Sequence, residues 1–450
     1  MKNNKDSIRL NYVLLKGVQF LSDMLVVCFS YFLSIYLRLI AGKPLSHDNI
    51  ASIKLVLPYI LLLYAIFYFI YKLYDIESLD SYETFLGIFF STILIFLLTL
   101  ALSFFLRAFA VPRTIIIGSF FLQLIFLLLS HYLISLIYDK VIPPQDIAVI
   151  TKSVDQENKV LEYLGRLRRG KVNLSLLTVD TLDFKEKIEK VLDSYDLFVV
   201  DDSFTLFEKD EIVKFLAYLD KPFYIVPGLY GLLLLNPNLH FINDLTLFEV
   251  YVVNFSPIER IIKRLIDIVF SIVTLVIFSP VIFIVSIAIV LDSGLPIFYL
   301  QERVGERGKI FKTIKFRTMI KDAEKHTGAV LSSENDPRIT RVGRFLRKTG
   351  LDEVPQFINV LKGEMSVVGP RPERPELIEK IKKDVPYFDL RLLMKPGITG
   401  FAQLYGKYDT SFEDKLKMDL AYAKSRHIIL TDIYIIFNTI KLFLSPHKRK

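Results

Sequence analysis

The run LIDIVFSIVTLVIFSPVIFIVSIAIVL, Leu265–Leu291, decides how the chain is organised: its only charge is Asp267, and Ser279-Pro280 interrupts it. Proline removes a backbone donor and collides with the preceding turn. The run is therefore expected as two helical pieces of ~14 and ~11 residues, about 21 and 16 Å long at 1.5 Å per residue. Neither piece crosses a ~30 Å hydrocarbon core alone. A single spanning helix with a proline kink is the alternative, since neighbouring helices can accommodate the break. A lead-in with Glu259, Arg260, Lys263 and Arg264 precedes the run, as in a helix entering a membrane from a charged surface.

Upstream, apolar runs cover Val13–Ile40, Ile53–Tyr71, Phe85–Leu106 and Thr114–Ile137, each near the ~20 residues a spanning helix needs. Residues 1–140 are thus expected to form a membrane α-helical bundle of four helices, with no cleaved leader because the first run is too long for one. Composition agrees: 52% of the 450 residues are apolar, with 37 Phe, 23 Tyr and no Trp. Disorder is excluded. The net charge of +8, from 56 basic and 48 acidic residues, suits anionic lipid or phosphate partners. Nucleic acid is not expected, since no long basic run interleaves with aromatics. Cys28 is the sole cysteine, so neither an intramolecular disulfide nor a cysteine-based zinc site can form.

Residues 141–255 change texture. Short β-like runs at Asp146–Ile150, Asn173–Val179, Leu197–Val200, Phe223–Val226 and Val250–Val253 alternate with helical stretches at Val154–Arg168, Asp183–Asp193 and Glu208–Leu219. This predicts an α/β, Rossmann-like middle domain. The turn after its first strand, Thr151-Lys152-Ser153-Val154, has no glycine, so the backbone approach that a dinucleotide pyrophosphate requires is missing and a structural or regulatory role is favoured.

Residues 256–450 hold the chemistry. QERVGERGKIF, Gln301–Phe311, sets Arg303 and other cations around a glycine turn. In KFRTM, Lys315–Met319, Lys315 and Arg317 are two apart, so on a strand they share a face and can hold a phosphate, although solvated strands also alternate this way. Arg344–Leu361 reads RFLRKTGLDEVPQFINVL, whose spacing starts a helix near Asp352 and puts Asp352 and Glu353 at its N-terminus. Carboxylates there either cap the helix or divide two chemical tasks at a phosphate-attracting end. LKGEMSVVGPRP, Leu361–Pro372, fixes Arg371 between two prolines, as in a stiffened phosphate clamp. KPGITGFAQ, Lys395–Gln403, adds a rigid turn, and the end of the chain, Asp432–Leu444, suits a helix on a membrane surface, with core packing as the alternative.

These blocks, in this order, resemble the bacterial sugar transferases, the monotopic phosphoglycosyl transferases, and the whole chain resembles their long members. The resemblance implies a mixed α/β monotopic catalytic domain with a re-entrant membrane helix broken at Ser279 and Pro280. It implies transfer of a hexose-1-phosphate from a UDP-sugar to undecaprenyl phosphate, with UMP released and Mg²⁺ required. Asp352 would be the nucleophile, Glu353 the metal ligand and Asp419 a further acid. Arg303, Lys315, Arg317, Arg347, Arg371 and Gln403 would bind substrate or phosphate. Membrane lipid and a second copy of the chain in a homodimer are the implied partners. The implied location is the bacterial inner membrane, with the soluble domains in the cytoplasm. Where the family carries Val-Asn-Gly-Arg, this chain has Leu404-Tyr405-Gly406-Lys407, which leaves the sugar contacts open. The alternative from another class is a membrane scaffold with a decayed catalytic domain, which loss of the acid pair or the clamp arginine would mark; both are present.

Overall fold

The computed structural model describes residues 2–75, 81–106, 111–152, 164, 171–180, 183–219, 221–242, 245–253, 255–320, 323, 336–407 and 410–443. The chain divides into two compact units, Met1–Pro227 and Gly228–Lys450.

In the first unit, four helices follow the four apolar runs: α1 (Lys2–Ile40), α2 (His47–Ile70), α3 (Ser81–Phe105) and α4 (Arg113–Val141). All four are long and apolar enough to cross a membrane. Polar atoms inside such a bundle must be satisfied by one another. Asp23, fully buried, accepts from Gln19 at 2.8 Å, Tyr64 at 2.8 Å and Ser130 at 3.2 Å, and lies 2.9 Å from His131 Nε2, tying α1 to α2 and α4.

Beyond the bundle, β1 (Gln145–Thr151), β2 (Val172–Thr178), β3 (Leu197–Val200) and β4 (Phe223–Ile225) form a parallel sheet in the order β2-β1-β3-β4. The helices α5 (Phe184–Val191) and α6 (Leu206–Tyr218) lie between strands in sequence. Parallel strands covered on both faces read as continuous apolar runs, and β3, Leu-Phe-Val-Val, is buried at every position. The helix expected at Val154–Arg168 falls largely outside the described residues, as do Ser153 and Val154 of the turn after β1.

The second unit opens with α7 (Leu229–Leu233) and an antiparallel hairpin of β5 (Asn238–Ile242) and β6 (Leu245–Glu249), where a single strand was expected slightly later, at Val250–Val253. Helix α8 (Pro257–Ser293) follows. Ser256 caps it through a reciprocal pair with Glu259, and Pro257 occupies its first turn, where the missing N–H costs nothing.

Helix α8 runs through Pro280 without splitting into the two pieces expected. The reason is local. Pro280 cannot donate to the carbonyl four residues back, that of Val276, and the Ser279 hydroxyl donates to that oxygen instead, at 2.8 Å. Both flanks of α8 are bonded to the rest of the unit. Near its start, Arg264 donates to the carbonyls of Val360 and Leu361 at 2.6 and 2.8 Å, and Asp267 accepts from the Ser366 hydroxyl and the Val367 amide at 3.0 and 2.9 Å. Near its end, Val285 and Ile289 pack with Phe316 and Leu346, and Asp292 accepts from the Val342 amide at 3.0 Å.

Next come the hairpin β7 (Phe298–Val304) and β8 (Ile310–Phe316), α9 (Arg341–Thr349), a 3-10 turn (Leu351–Gln356), α10 (Phe357–Lys362) and β9 (Ser366–Val368). The chain ends in α11 (Pro375–Asp384), β10 (Gly397–Thr399), α12 (Phe401–Tyr405), α13 (Phe412–Ala423) and α14 (Ile428–Phe443). β9 and β10 pair in parallel. Gly369 and Gly397 make this possible, since a Cβ on Gly397 would lie 2.1 Å from the Gly369 nitrogen. The final helix, for which a membrane surface and core packing were the two expectations, buries Ile435 and Ile436 in a core with Val360 and Met365 and leaves Leu430 and Ile440 exposed. Its Asp432 pairs with Lys263 at 2.6 Å, so the apolar face has an internal partner.

Candidate active site

Helix α9 stops at Gly350, whose φ of 70° is a left-handed conformation that glycine adopts without strain. The chain then turns directly into Leu351–Gln356. Leu351 packs toward Phe316 and Leu346, which anchors the turn. Asp352 and Glu353 therefore sit in a 3-10 turn ahead of α10 and not in the first turn of a regular α-helix.

Glu353 is the hub. Its Oε1 accepts from Lys315 Nζ and Arg371 Nη2, both at 2.7 Å, and its Oε2 has a longer contact to Arg371 Nη1 at 3.4 Å. Burial alone would raise its pKa, but Arg371 and Lys315 outweigh that and hold it well below the ordinary carboxylate range. Glu353 in turn raises the pKa of Arg371, while burial pulls that of Lys315 down against the same carboxylate.

Asp352 behaves oppositely. Burial, and then the negative charge of Glu353, push its carboxyl up to about 6 against the pull of Lys315, Arg347 and Arg371. None of the hydrogen bonds among the described residues ends on its carboxylate, so it does not cap the turn. An oxygen acceptor amid three cations, with its lone pairs uncommitted, is what a nucleophile toward phosphorus requires.

Other expected site residues are distributed around this centre. Arg347, in α9, donates from Nε to Thr318 Oγ1 at 2.8 Å, and burial lowers its pKa while Asp352 opposes that. Arg317 parts from Lys315: its Nη2 donates to the Ser293 carbonyl and hydroxyl, each at 2.8 Å, and to the Gly294 carbonyl, closing the end of α8. Arg303 donates to Gln301 and to the Pro372 carbonyl. Asp419 pairs with Arg391 at 2.8 Å, and burial raises its carboxyl to about 6 against that pairing. Gln403 Nε2 makes a 3.4 Å contact to the Gly369 carbonyl.

Asn359, Arg391 and Glu373 carried little sequence signal. Asn359 accepts from the Ile314 amide and donates to the Lys312 carbonyl, at 2.9 and 2.8 Å, which fixes the strand carrying Lys315 against α10. Arg391 and Glu373 join the Asp419 cluster. Asp267 was visible as the lone charge in an apolar run, and it proves to be an acceptor for β9.

Among the described residues, no cluster of three His, Cys, Asp or Glu forms a metal cage. The acid pair suits a hard cation that brings phosphate oxygens and water as its other ligands, because Glu353 Oε2 has only the 3.4 Å contact and Asp352 is uncommitted.

A family model described as bacterial sugar transferase matches residues 258–446. A UDP-N-acetylgalactosamine-undecaprenyl-phosphate N-acetylgalactosaminephosphotransferase of Aeromonas hydrophila is 39% identical over 193 residues, 42% of this chain and 45% of the relative. A UDP-glucose:undecaprenyl-phosphate glucose-1-phosphate transferase of Escherichia coli (strain K12) is 38% identical over 221 residues, 48% of this chain and 47% of the relative. The chain thus spans about half the length of these two relatives. A Bacillus subtilis (strain 168) protein, whose name is for undecaprenyl-phosphate N-acetylgalactosaminyl 1-phosphate transfer, is 52% identical over 131 residues, 29% of this chain and 73% of the relative.

Proposed function

Because this chain belongs to the bacterial sugar transferase family, we propose that it transfers a sugar-1-phosphate from a UDP-sugar to undecaprenyl phosphate, releasing UMP. This would be the first membrane step of a surface polysaccharide. The observation that carries the reading is the Asp352 carboxylate, free of hydrogen bonds among the described residues and surrounded by Lys315, Arg347 and Arg371.

In the first half-reaction an Asp352 oxygen attacks the phosphorus joined to the sugar. The bond from that phosphorus to the bridging oxygen breaks, and UMP leaves with the electron pair. In the second, an oxygen of the lipid phosphate attacks the same phosphorus and Asp352 is released. Arg371 and Lys315 spread the charge on the phosphoryl oxygens, and Glu353 keeps both cations in place until the donor arrives. Mg²⁺ belongs to the proposal, with Glu353 Oε2 as its protein donor; when bound, it would offset charge on the donor's diphosphate.

The bonding of α8 supports a re-entrant helix over a spanning one. Both of its flanks are tied to one compact unit, through Arg264 and Asp267 on one side and Asp292 and Ser293 on the other. A bilayer between those flanks would divide a unit that has, among the described residues, no second helix long and apolar enough to cross it. With four helices before it, the reading places every soluble part on the cytoplasmic face, where nucleotide sugars are made.

Purified protein incubated with undecaprenyl phosphate and a panel of UDP-sugars should release UMP from at least one donor. With donor alone it should gain the mass of a sugar phosphate on the peptide containing Asp352. Absence of that adduct in an active preparation would favour direct transfer in a ternary complex.

A further inference from the structure

The segment Gly369–Glu373 carries the guanidinium that pairs with Glu353, yet Pro370 and Pro372 have no N–H to donate. Its path is set by the Gly369 amide, which donates to the Thr399 carbonyl at 2.8 Å, and by what its carbonyls accept. Gly369 takes Gln403 Nε2 at 3.4 Å, and Pro370 takes the Gly397 amide at 2.8 Å. Arg371 takes Arg391 Nη2 at 3.1 Å, Pro372 takes Arg303 Nη1 at 2.9 Å, and Glu373 takes the Val304 amide at 3.0 Å. The two bonds on Arg371 and Pro372 come from guanidiniums that are themselves restrained. Arg391 is paired with Asp419 at 2.8 Å, lies 4.0 Å from Glu373 and stacks 4.7 Å over the Phe388 ring. Arg303 is held by Gln301 Oε1 at 2.6 and 3.1 Å and by Glu373 at 3.5 Å.

We propose that Asp419, Arg391 and Arg303 are positioning residues that fix the carbonyls of Arg371 and Pro372 and so aim the Arg371 guanidinium at the phosphate beside Glu353. The inference rests on reading the Asp352 centre as a phosphoryl-transfer site, and it assigns Arg303 and Asp419 a task other than touching substrate. The Arg371 side chain is 45% exposed and its head is restrained by Glu353. A diphosphate competing with Glu353 for that head leaves only the backbone anchor to keep its direction. Asp419, 2% exposed, contacts Arg391 and acts through it. A single nitrogen, Arg391 Nη2, meets both the Asp419 carboxylate and the Arg371 carbonyl, and the planar guanidinium that carries it is held flat over the Phe388 ring, which a flexible ammonium would not be.

The test uses the full chain in nanodiscs, with Asp419→Asn and Arg391→Lys, each alone and combined with Arg371→Lys. One readout is hydrogen–deuterium exchange of the peptide spanning Gly369–Glu373. The other is kcat and KM for UMP release from whichever UDP-sugar the wild type uses. Displacing a charge-stabilising group by ~1 Å costs about 10²-fold in rate. Asp419→Asn should therefore lower kcat by that order with KM little changed, speed exchange in this segment, and cost less than about threefold once Arg371 is already lysine. Equal losses in both backgrounds, or unchanged exchange, would overturn the proposal. If Asp419→Asn fails to fold, Arg391→Lys, which keeps the charge beside Asp419, answers to the same criteria. A wild type inactive with every donor would defeat the proposed function, and the exchange readout would still decide the positioning.

Discussion

Asp352 and Glu353 are adjacent, yet neutralising them should move stability in opposite directions. The Asp352 carboxyl stands at about 6 in the folded chain, against an ordinary 3.8. At 1.36 kcal/mol per pKa unit that interval is about 3 kcal/mol, reduced to about 1–3 kcal/mol by solvent screening at a partly exposed side chain. Because the folded value is the higher one, the folded state holds the proton more tightly. The associated stability is full below pH ~4 and lost as pH rises through ~6, so at pH 7.5 the ionised carboxylate strains the fold. Asp352→Asn removes that strain and should raise the unfolding free energy by about 1–3 kcal/mol, while turnover falls by roughly four orders of magnitude or more, the scale seen when a nucleophile is removed. Glu353→Gln strips Lys315 and Arg371 of their shared counter-charge and should cost about 3 kcal/mol, the low end for breaking a buried pair, since the Arg371 side chain is 45% exposed. Denaturant melts in detergent with EDTA, at pH 5 and 7.5, read both effects. The pH 5 to 7.5 difference should shrink in Asp352→Asn. A loss of stability in Asp352→Asn at pH 7.5 would show that Asp352 is a structural cap and that its ionised carboxylate is not strained.

Single-turnover UMP release should fall about tenfold per pH unit below ~6, as Asp352 takes up its proton; a rate constant down to pH 4.5 would point to another nucleophile. Cysteines at Ser256 and Leu295, on either side of α8, should react with an impermeant reagent in inverted vesicles and not in intact cells, whereas labelling of one site from each side would mean a spanning helix. Asp267→Leu makes α8 more apolar but orphans the Ser366 hydroxyl and the Val367 amide. It should destabilise the unit by about 2–4 kcal/mol in a denaturant melt, and a gain in stability would place Asp267 outside the fold's hydrogen bonding. A fragment Gly228–Lys450 should release UMP and melt higher than Ser256–Lys450, because Leu229 and Val252 pack against the core around Phe388 and Leu420; equal melting would show those contacts to be idle.

The long apolar helices and most strands of the middle sheet were legible because each is a one-dimensional pattern: a length of apolar residues, or a short buried run between turns. What was not legible depends on partners far away in the chain. Pro280 reads as a break in isolation, and the helix continues because its neighbour Ser279 bonds to the Val276 carbonyl. Ile435 and Ile436 read as a face for lipid until the core around Val360 supplies them with protein. Lys315 and Arg317 share a strand-like spacing, but β8 ends at Phe316, so Arg317 follows the chain toward the end of α8 while Lys315 meets Glu353.

The acid pair shows the same limit at the level of chemistry. The sequence places two carboxylates side by side and permits either capping or catalysis for both. Distinguishing them takes the positions of Lys315 and Arg371, which lie 38 and 18 residues from Glu353. Both cations bond to Glu353, and that choice makes Glu353 the fixed anion and leaves Asp352 the one with uncommitted lone pairs. Arg371 was recognisable from its flanking prolines, which announce a rigid backbone but cannot say what it is rigid against. The answer is a row of carbonyl acceptors served partly by Arg391 and Arg303. A motif with two prolines has few amide donors of its own and takes much of its orientation from donors elsewhere in the fold, which have no reason to lie near it in sequence.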